Sequence, residues 1–550
     1  MRILNRDPPR LASCLEIVHG RTRAGTSTPI CILSHGWRRT QSPQGLKWMT
    51  NYDALRVFIV RYAGDDRLII RRLLLALYRG EVRPDEIADL LRFGLRCVNF
   101  VAVFQNLAVF MIATNGDLHG VREALPNSPR VAALYGPFSA WLKQCLVDKR
   151  LSLPPVNESS GMAFVGTVLD GAEAILLSLR AKEEALRVSE LRRMVDEVWR
   201  DHGKYWALST AFSSHIGHFT YAATFLTLRD AGELKGPPIV MLRGETQNSY
   251  LRSMFERYMV DRLPEGVLYA ELISARKRQS LAKGGSAPMS ELVSRAARLW
   301  HDRRPFLTMD SALEERGAAV LAGFGVSPDA PIVTVHVREE GYNAGLSRFM
   351  HQRDGRFETY GQAIGELVRR GFTVVRLGDR TMTPAPAMEG LIDYPFTDAK
   401  SDWMDIYLAG RCAFHIGTSS GMSFVPMLFG HPVLFTNFPT LSHLVCAPSV
   451  VSLPKVLLTE DGTTIPFESF CRDHGDILEA YDAVLHDVKF QDNDPRDLAD
   501  ATLMMVEHLD LATGKIGFPE GNFSRAHSLL PNRPQIPDWF LDRRYSDGST

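Results

Sequence analysis

The sequence has no excess of either charge. Its 550 residues carry 63 Lys and Arg against 63 Asp and Glu, a formal net charge of +0. Without a basic excess there is no electrostatic footprint for nucleic acid, and without an acidic one no demand for a basic partner. Cysteine is sparse and scattered. The seven (Cys14, Cys31, Cys97, Cys145, Cys412, Cys446, Cys471) include no CxxC pair and are odd in number. That argues against a disulfide framework and a zinc site, and fits a reducing compartment. Long apolar runs are lacking too. The most membrane-like stretch, CVNFVAVFQNLAVFMIA at 97–113, is short for a span and carries Asn99, Gln105 and Asn106, so it reads as a buried helix. Arg71, Arg72, Arg79, Arg83, Arg92 and Arg96 lie just upstream and leave a peripheral contact with an anionic membrane surface open. Arg2 and Arg6 have no apolar segment behind them, so no signal peptide is expected and the protein reads as cytoplasmic. No internal period marks a repeat array.

What is present is a globular composition, 45% hydrophobic, over a length that needs two or three cores. Residues 1–50 are rich in Arg, Pro and Ser. From Asp53 the text turns helical: Leu68, Ile69, Leu73, Leu74, Leu77 and Tyr78 share one stripe, and Pro84-Asp85-Glu86 opens a further helix. Leu186, Val188, Leu191, Met194, Val195 and Val198 line one face of a helix over 181–199. Residues 1–200 are therefore expected to form a mainly helical accessory region.

Beyond it, strands alternate with helices. Strands over 205–213, 238–242 and 266–272, with helices over 219–228 and 248–260, predict a small parallel sheet for 201–325. The KRQSLAKGGS segment at 277–286 reads as a flexible loop, followed by helices over 290–303 and 311–323. Residues 326–515 repeat the alternation more plainly. Strands fall at 331–338 (PIVTVHVR), 372–377, 413–416 and 433–435, and helices at 359–370, 402–409 and from 494 onwards. In the first strand Val333, Val335 and Val337 should share one face, with Thr334, His336 and Arg338 on the other. Ser401 or Asp402 should start the second helix, with Trp403 in the core. A Pro-rich tail, 516–550, closes the chain.

The densest text is 413–437, AFHIGTSSGMSFVPMLFGHPVLFTN. A short strand, the tight loop Gly417-Thr418-Ser419-Ser420-Gly421 and a helix N-terminus together make an anion site. The same text without a ligand is a plain strand–helix turn. Open parallel sheets bind ligands beyond the carboxyl ends of their strands. That rule brings Arg338, Arg376 with Gly378 and Asp379, and the 417–421 loop to one crevice, which is chemistry suited to a diphosphate. Each residue has a plainer role beside this one. Arg338 can be a solvated strand cap, His336 a buried structural histidine, and Asp379 a turn former paired with Arg376. Glu339, beside Arg338, can act as a general base or merely offset the arginine. Ser214-His215-Ile216-Gly217-His218 is a polar glycine loop after the first strand. His336 has no metal-ligand spacing with another histidine.

One series of motifs runs through the second half: His336-Val337-Arg338 with Gly341-Tyr342, Tyr360, Val375-Arg376-Leu377-Gly378-Asp379 with Met382, and Ile392-Asp393-Tyr394. Ser401-Asp402-Trp403-Met404-Asp405, Gly417-Thr418-Ser419-Ser420-Gly421, Phe424-Val425-Pro426 and Thr436-Asn437 continue it. With Ile216-Gly217-His218 in the first half, this series resembles a family of bacterial glycosyltransferases associated with surface-polysaccharide and related glycan genes, over about residues 205–530. More distantly, the His-x-Arg strand and serine-rich loop look like the fucosyltransferase branch of GT-B enzymes. The resemblance implies an α/β fold with a GT-B-like pair of Rossmann-type domains, 201–325 on the acceptor side and 326–515 on the donor side. It implies an inverting transfer of a sugar from a nucleotide-sugar donor, a GDP-sugar by that analogy, to a glycan, lipid-linked or protein acceptor. Arg338, Glu339 and Asp379 would be catalytic, with Arg338 on the β-phosphate. His336, Arg376, Gly378, Gly417, Thr418, Ser419, Ser420, Gly421 and Asn437 would bind the donor, and His215, Gly217 and His218 would face the acceptor. No cofactor and no metal are expected. Asp492-Asn493-Asp494 looks like a metal–nucleotide DxD pair, but Asp494 precedes Pro495 and an apolar helix and is expected to be an N-cap. Attachment would be at most peripheral, at the inner membrane. The alternatives are a non-catalytic nucleotide-sugar-binding or scaffold protein on the same fold, and a nucleotide-sugar epimerase.

Overall fold

The structure is a computed structural model. It describes residues 51–61, 72, 76, 81, 205–208, 215–234, 239–261, 269–271, 279–280, 286–341, 351–475, 483, 488–519 and 521–545. The chain divides into two compact units, Met1–Phe104 with Asp117–Asn127, and Gln105–Gly116 with Ser128–Thr550. In the first, helix α1 (Asn51–Arg61) buries Leu55 and Ile59, four apart and so on one face. Arg72 pairs with Glu81 at 2.9 Å. Apart from Arg72 and Ala76, both helical, the apolar stripe at 68–78 lies outside the described residues, as do the helices expected over 97–113 and 181–199. No helix among the described residues is long and apolar enough to cross a membrane.

The second unit is built on two parallel sheets. The smaller comprises β1 (Tyr205–Leu208), β2 (Ile239–Leu242), β3 (Met259–Val260) and β4 (Tyr269–Glu271), in the order β3-β2-β1-β4. Helix α2 (Ile216–Asp230) follows β1, α3 (Ser249–Met254) follows β2, and α4 (Met289–Asp302) and α5 (Ser311–Gly323) lead out of the sheet. The larger sheet holds β5 (Ile332–His336), β6 (Thr373–Arg376), β7 (Leu391–Asp393), β8 (Phe414–Gly417), β9 (Val433–Phe438) and β10 (Val450–Pro454), in the order β10-β9-β8-β5-β6-β7. Its helices are α6 (Gly361–Arg369), α7 (Asp402–Arg411), the short α8 (Val425–Leu428) and α9 (Pro495–His508). Counted from its own first strand, each sheet winds outward one way and then reverses, the doubly wound order in which a crevice opens between the first and fourth strands.

β5 is buried along its whole length, not on one face as its alternation suggests. Helices cover both faces of a parallel sheet, so both rows of side chains are enclosed, and Thr334 is accommodated by a 2.9 Å hydrogen bond with His415 Nδ1. Other boundaries shift. The helix expected over 248–260 stops at Met254 and gives way to a 3-10 turn and β3. The 277–286 segment, expected to be a loop, pairs Gln279–Ser280 antiparallel with Ser286–Ala287. Trp403 is half-buried under the Arg316 guanidinium, 3.8 Å from its ring centre. The tail is packed: Gln535 bridges Val451 of β10, and in helix α10 (Asp538–Tyr545) Arg543 pairs with Asp497 of α9 and Arg544 with Asp494 just ahead of it. Asp494 caps α9, accepting from Asp497 N at 2.8 Å, as its Pro neighbour predicts.

Helix α4 stitches the sheets together. Trp300 Nε1 donates to Thr227 Oγ1 at 2.8 Å, Arg298 to Cys446 O at 2.8 Å, and Ser294 Oγ accepts from Cys446 N at 2.8 Å. At the opposite side Asp402 accepts from Ser249 N (2.7 Å) and its hydroxyl (2.6 Å), capping α3 from across the seam.

Candidate functional site

The carboxyl ends of both sheets open onto one cleft of about 850 Å³. The crevice of the large sheet lies between β5 and β8, where Gly417 pairs with His336. Thr418 N donates to His336 O at 3.0 Å, and Thr418 Oγ1 accepts from Arg338 N at 2.9 Å. Thr418 thus clamps two strand ends together, fully buried, and does not line the cleft. Arg338 O accepts from Gly355 N at 2.8 Å, and Arg338 Nε donates to Asp354 Oδ1 at 2.9 Å. Asp354 O in turn accepts from Lys455 Nζ at 2.7 Å, and that buried ammonium pairs with Asp492 at 2.6 Å. Held at its amide, its carbonyl and its Nε, Arg338 has one orientation, and it lines the cleft. Burial raises the Asp354 carboxyl against the pull of Arg338.

Ser419, Ser420 and Gly421 line the cleft beside it. After them comes a short, broken element, as Pro426 implies: a four-residue 3-10 turn (Gly421–Phe424) followed by the four residues of α8. Eight residues in two geometries sum little macrodipole. The long helix aimed at the site comes from the other sheet. α2 has 15 residues, no acid in its first turn and no side-chain cap, and its Gly217 meets Gly421 backbone to backbone. His215, Gly217 and His218 all line the cleft, the two rings edge to face at 5.1 Å, with His218 stacked on Tyr221 at 5.8 Å.

The charged candidates separate clearly. Arg376 is 0% exposed and does not line the cleft. It pairs with Glu339 (2.5 Å) and Asp393 (3.1 Å), not with Asp379, and lies over Phe357 at 4.2 Å. Its place at a strand end suggests a side chain facing the crevice, but the sheet is covered there and the guanidinium is enclosed. Glu339 reaches the cleft wall, yet one oxygen binds Arg376 and the other accepts from Thr383 N at 2.8 Å, so it is the offsetting partner of an arginine other than Arg338. Asp379 keeps more. One oxygen accepts from the Thr381 amide at 2.8 Å and from its hydroxyl; the other takes no hydrogen bond from a described residue, and Asp379 lines the cleft. Gly378 before it has φ +148°, and a Cβ there would meet Met382 Sδ at 1.9 Å, so no other residue fits.

His336 lines the cleft with Nδ1 unpartnered among the described residues, and burial lowers its pKa to about 4, so it is neutral. Asn437 is not at the cleft. It is buried at φ 51° and exchanges two 2.6 Å hydrogen bonds with Asn493, amide to side chain in each direction, which makes the Asp492-Asn493-Asp494 run a structural brace. Gly417 is likewise packed, its Cα too close to Ser423 and His415 for any side chain.

Tyr221, Arg353, His443 and Lys400, which belong to no motif, also line the cleft, as does Asp405 of the Ser401–Asp405 motif. Lys400 Nζ sits on both Asp405 oxygens at 2.6 and 2.5 Å, while burial raises the Asp405 carboxyl. The sequence offers an Asp of the Asp402–Asp405 run at the cleft as well as a helix cap, but gives no sign of its pairing with Lys400. Among the described residues no three His, Cys, Asp or Glu side chains gather as a metal ion requires.

No protein-family model and no curated protein matches the chain. A solved structure that it is similar to is that of the E. coli ADP-heptose lps heptosyltransferase II, at 12% identity and a TM-score of 0.30, over 55% of this chain and 99% of that one. At that score the likeness carries no weight.

Proposed function

We propose that the cleft binds a nucleotide sugar and that the protein is a GT-B glycosyltransferase transferring the sugar to a hydroxyl of a glycan, lipid-linked or protein acceptor. One observation carries this reading: two parallel sheets of the same winding order turn their carboxyl ends to one cleft. There Arg338 and the 419–421 loop of one sheet meet the positive end of α2 from the other. Charge develops on the leaving diphosphate as the glycosidic bond breaks, and a preorganised guanidinium is worth most at that point. Arg338, immobilised by Thr418, Gly355 and Asp354, is in place before the charge appears. Asp379 takes the proton of the acceptor hydroxyl through its remaining oxygen, in a single displacement with inversion. Glu339 is excluded from that step because both its oxygens are engaged. The cationic groups take the role a metal would otherwise play, and the donor, by analogy of motifs, is a GDP-sugar.

The test is a thermal-shift and calorimetric screen of nucleoside diphosphates and nucleotide sugars, with and without EDTA. Ligand at 100 times its Kd stabilises by about 2.7 kcal/mol. One base should bind, with or without EDTA. Binding should fall at least tenfold in Arg338→Ala/Asp354→Asn, the double variant that leaves no buried carboxylate unpaired. If no nucleotide binds the wild type, the assignment fails.

A further inference from the structure

Two guanidinium groups flank the loop that the nucleotide-sugar reading assigns to phosphate, and only Arg338 belongs to a sequence motif. Arg353 ends the 3-10 turn His351–Arg353, beside the Asp354 that holds Arg338. Its Nε donates to Ser419 O at 2.7 Å. The Arg338 backbone amide is tied to Thr418 and the Arg353 guanidinium to Ser419, the next residue, while the Arg338 guanidinium is held by Asp354, the chain neighbour of Arg353. Spending Nε on the carbonyl fixes the guanidinium plane beside the loop, on the cleft wall. Tyr221 of α2 lines the same wall, and its phenol, raised by burial, is pulled back down by the charge of Arg353. Arg353 therefore stands where the serine loop of one sheet faces the first turns of α2 from the other.

A single phosphate is satisfied by one fork of guanidinium donors; two linked phosphates use two. We propose that Arg353 is the second cation of the site and sets its preference for a diphosphate over a monophosphate, an inference that rests on the nucleotide-sugar reading. Arg338 takes one phosphate and Arg353 the other. A monophosphate engages Arg338 alone.

Calorimetric titration of the full chain with GDP, GMP, UDP, UMP, ADP and AMP decides this. For whichever base binds, the wild type should prefer the diphosphate. Arg353→Gln should weaken diphosphate binding roughly 10- to 100-fold and leave the monophosphate within about threefold, so that the preference collapses. Arg356→Gln, the same loss of charge at an exposed position three residues on, should change neither. Arg353→Lys keeps the charge but not the fork, should fall between, and decides the matter if the glutamine variant does not fold. A wild type with no preference, or a variant that keeps it, overturns the role of Arg353 while nucleotide binding stands. A wild type that binds no nucleotide overturns both.

Discussion

Replacing Gly217 or Gly421 by alanine tests the seam of the cleft directly. A Cβ on Gly217 would sit 2.8 Å from Gly421 Cα, and one on Gly421 would sit 2.6 Å from Gly217 N. Both obstacles are backbone, so no side chain can swing aside. Restoring an ordinary 3.4 Å contact parts the two loops by roughly 0.6–0.8 Å, an overpacking strain of about 1–3 kcal/mol. At about 1–2 °C per kcal/mol for a body this large, the thermal midpoint should drop by a few degrees. Ligand binding should suffer alongside stability, because a shift approaching 1 Å in a positioned site costs up to ~100-fold. Differential scanning calorimetry gives the midpoint and titration with the nucleoside diphosphate gives the affinity. Gly365→Ala is the control. It lies in α6 with nothing within 4 Å of its Cβ, and should stabilise by about 0.5–1 kcal/mol. If Gly217→Ala behaves like Gly365→Ala in both measurements, the loops do not touch as described.

Two more outcomes concern buried charge. Arg376→Met strands the Glu339 and Asp393 carboxylates and should cost about 3–5 kcal/mol in chemical denaturation; adding Glu339→Gln should recover part of that, and equal losses in the single and double variants would refute the pairing. His336, lowered by burial to about 4, and His415, lowered well below its usual value, stay neutral in the folded protein while the unfolded chain protonates near pH 6.5. Burial of the neutral rings therefore costs nothing in protonation above that pH, and stability drains away as pH falls toward 4, by on the order of 3 kcal/mol for His336. Midpoints measured from pH 8 to 4.5 should show the wild type losing ground on His336→Gln as pH drops, and a constant gap between them would refute the burial.

The larger sheet is legible because its strands are β-branched runs, such as PIVTVHVR, ended by glycine or charge. Among the strands that escape notice are β3, β7 and β10, and β10 escapes although it opens on Val450-Val451 and is followed by Lys455. β3 and β7 have only two and three residues, and a strand so short takes its conformation from its neighbours' ladder, not from its own periodicity. The cleft follows from one topological rule, which correctly collects Arg338, Gly378, Asp379 and the 419–421 loop. The rule fails at Arg376 and the resemblance at Asn437, where the deciding partners lie far off in sequence: Glu339 is 37 residues from Arg376, and Asn493 is 56 from Asn437. Arg353 is invisible for the same reason. Nothing in Gln352-Arg353-Asp354-Gly355 announces that its second residue meets a loop 66 positions on.

The packing of the tail against β10 bears on solubility. A parallel sheet that ends in an uncovered strand offers unpaired N–H and C=O groups to any other chain. Here Ser452 N donates to Gln535 O at 2.9 Å, and the ion pairs of α10 with α9 and its cap Asp494 fasten the chain beyond it. The segment acts as a guard over an edge whose five residues are all buried. A chain cut ahead of Gln535 would retain every residue of the cleft yet present that edge to its neighbours, so self-association would set in before any loss of ligand affinity.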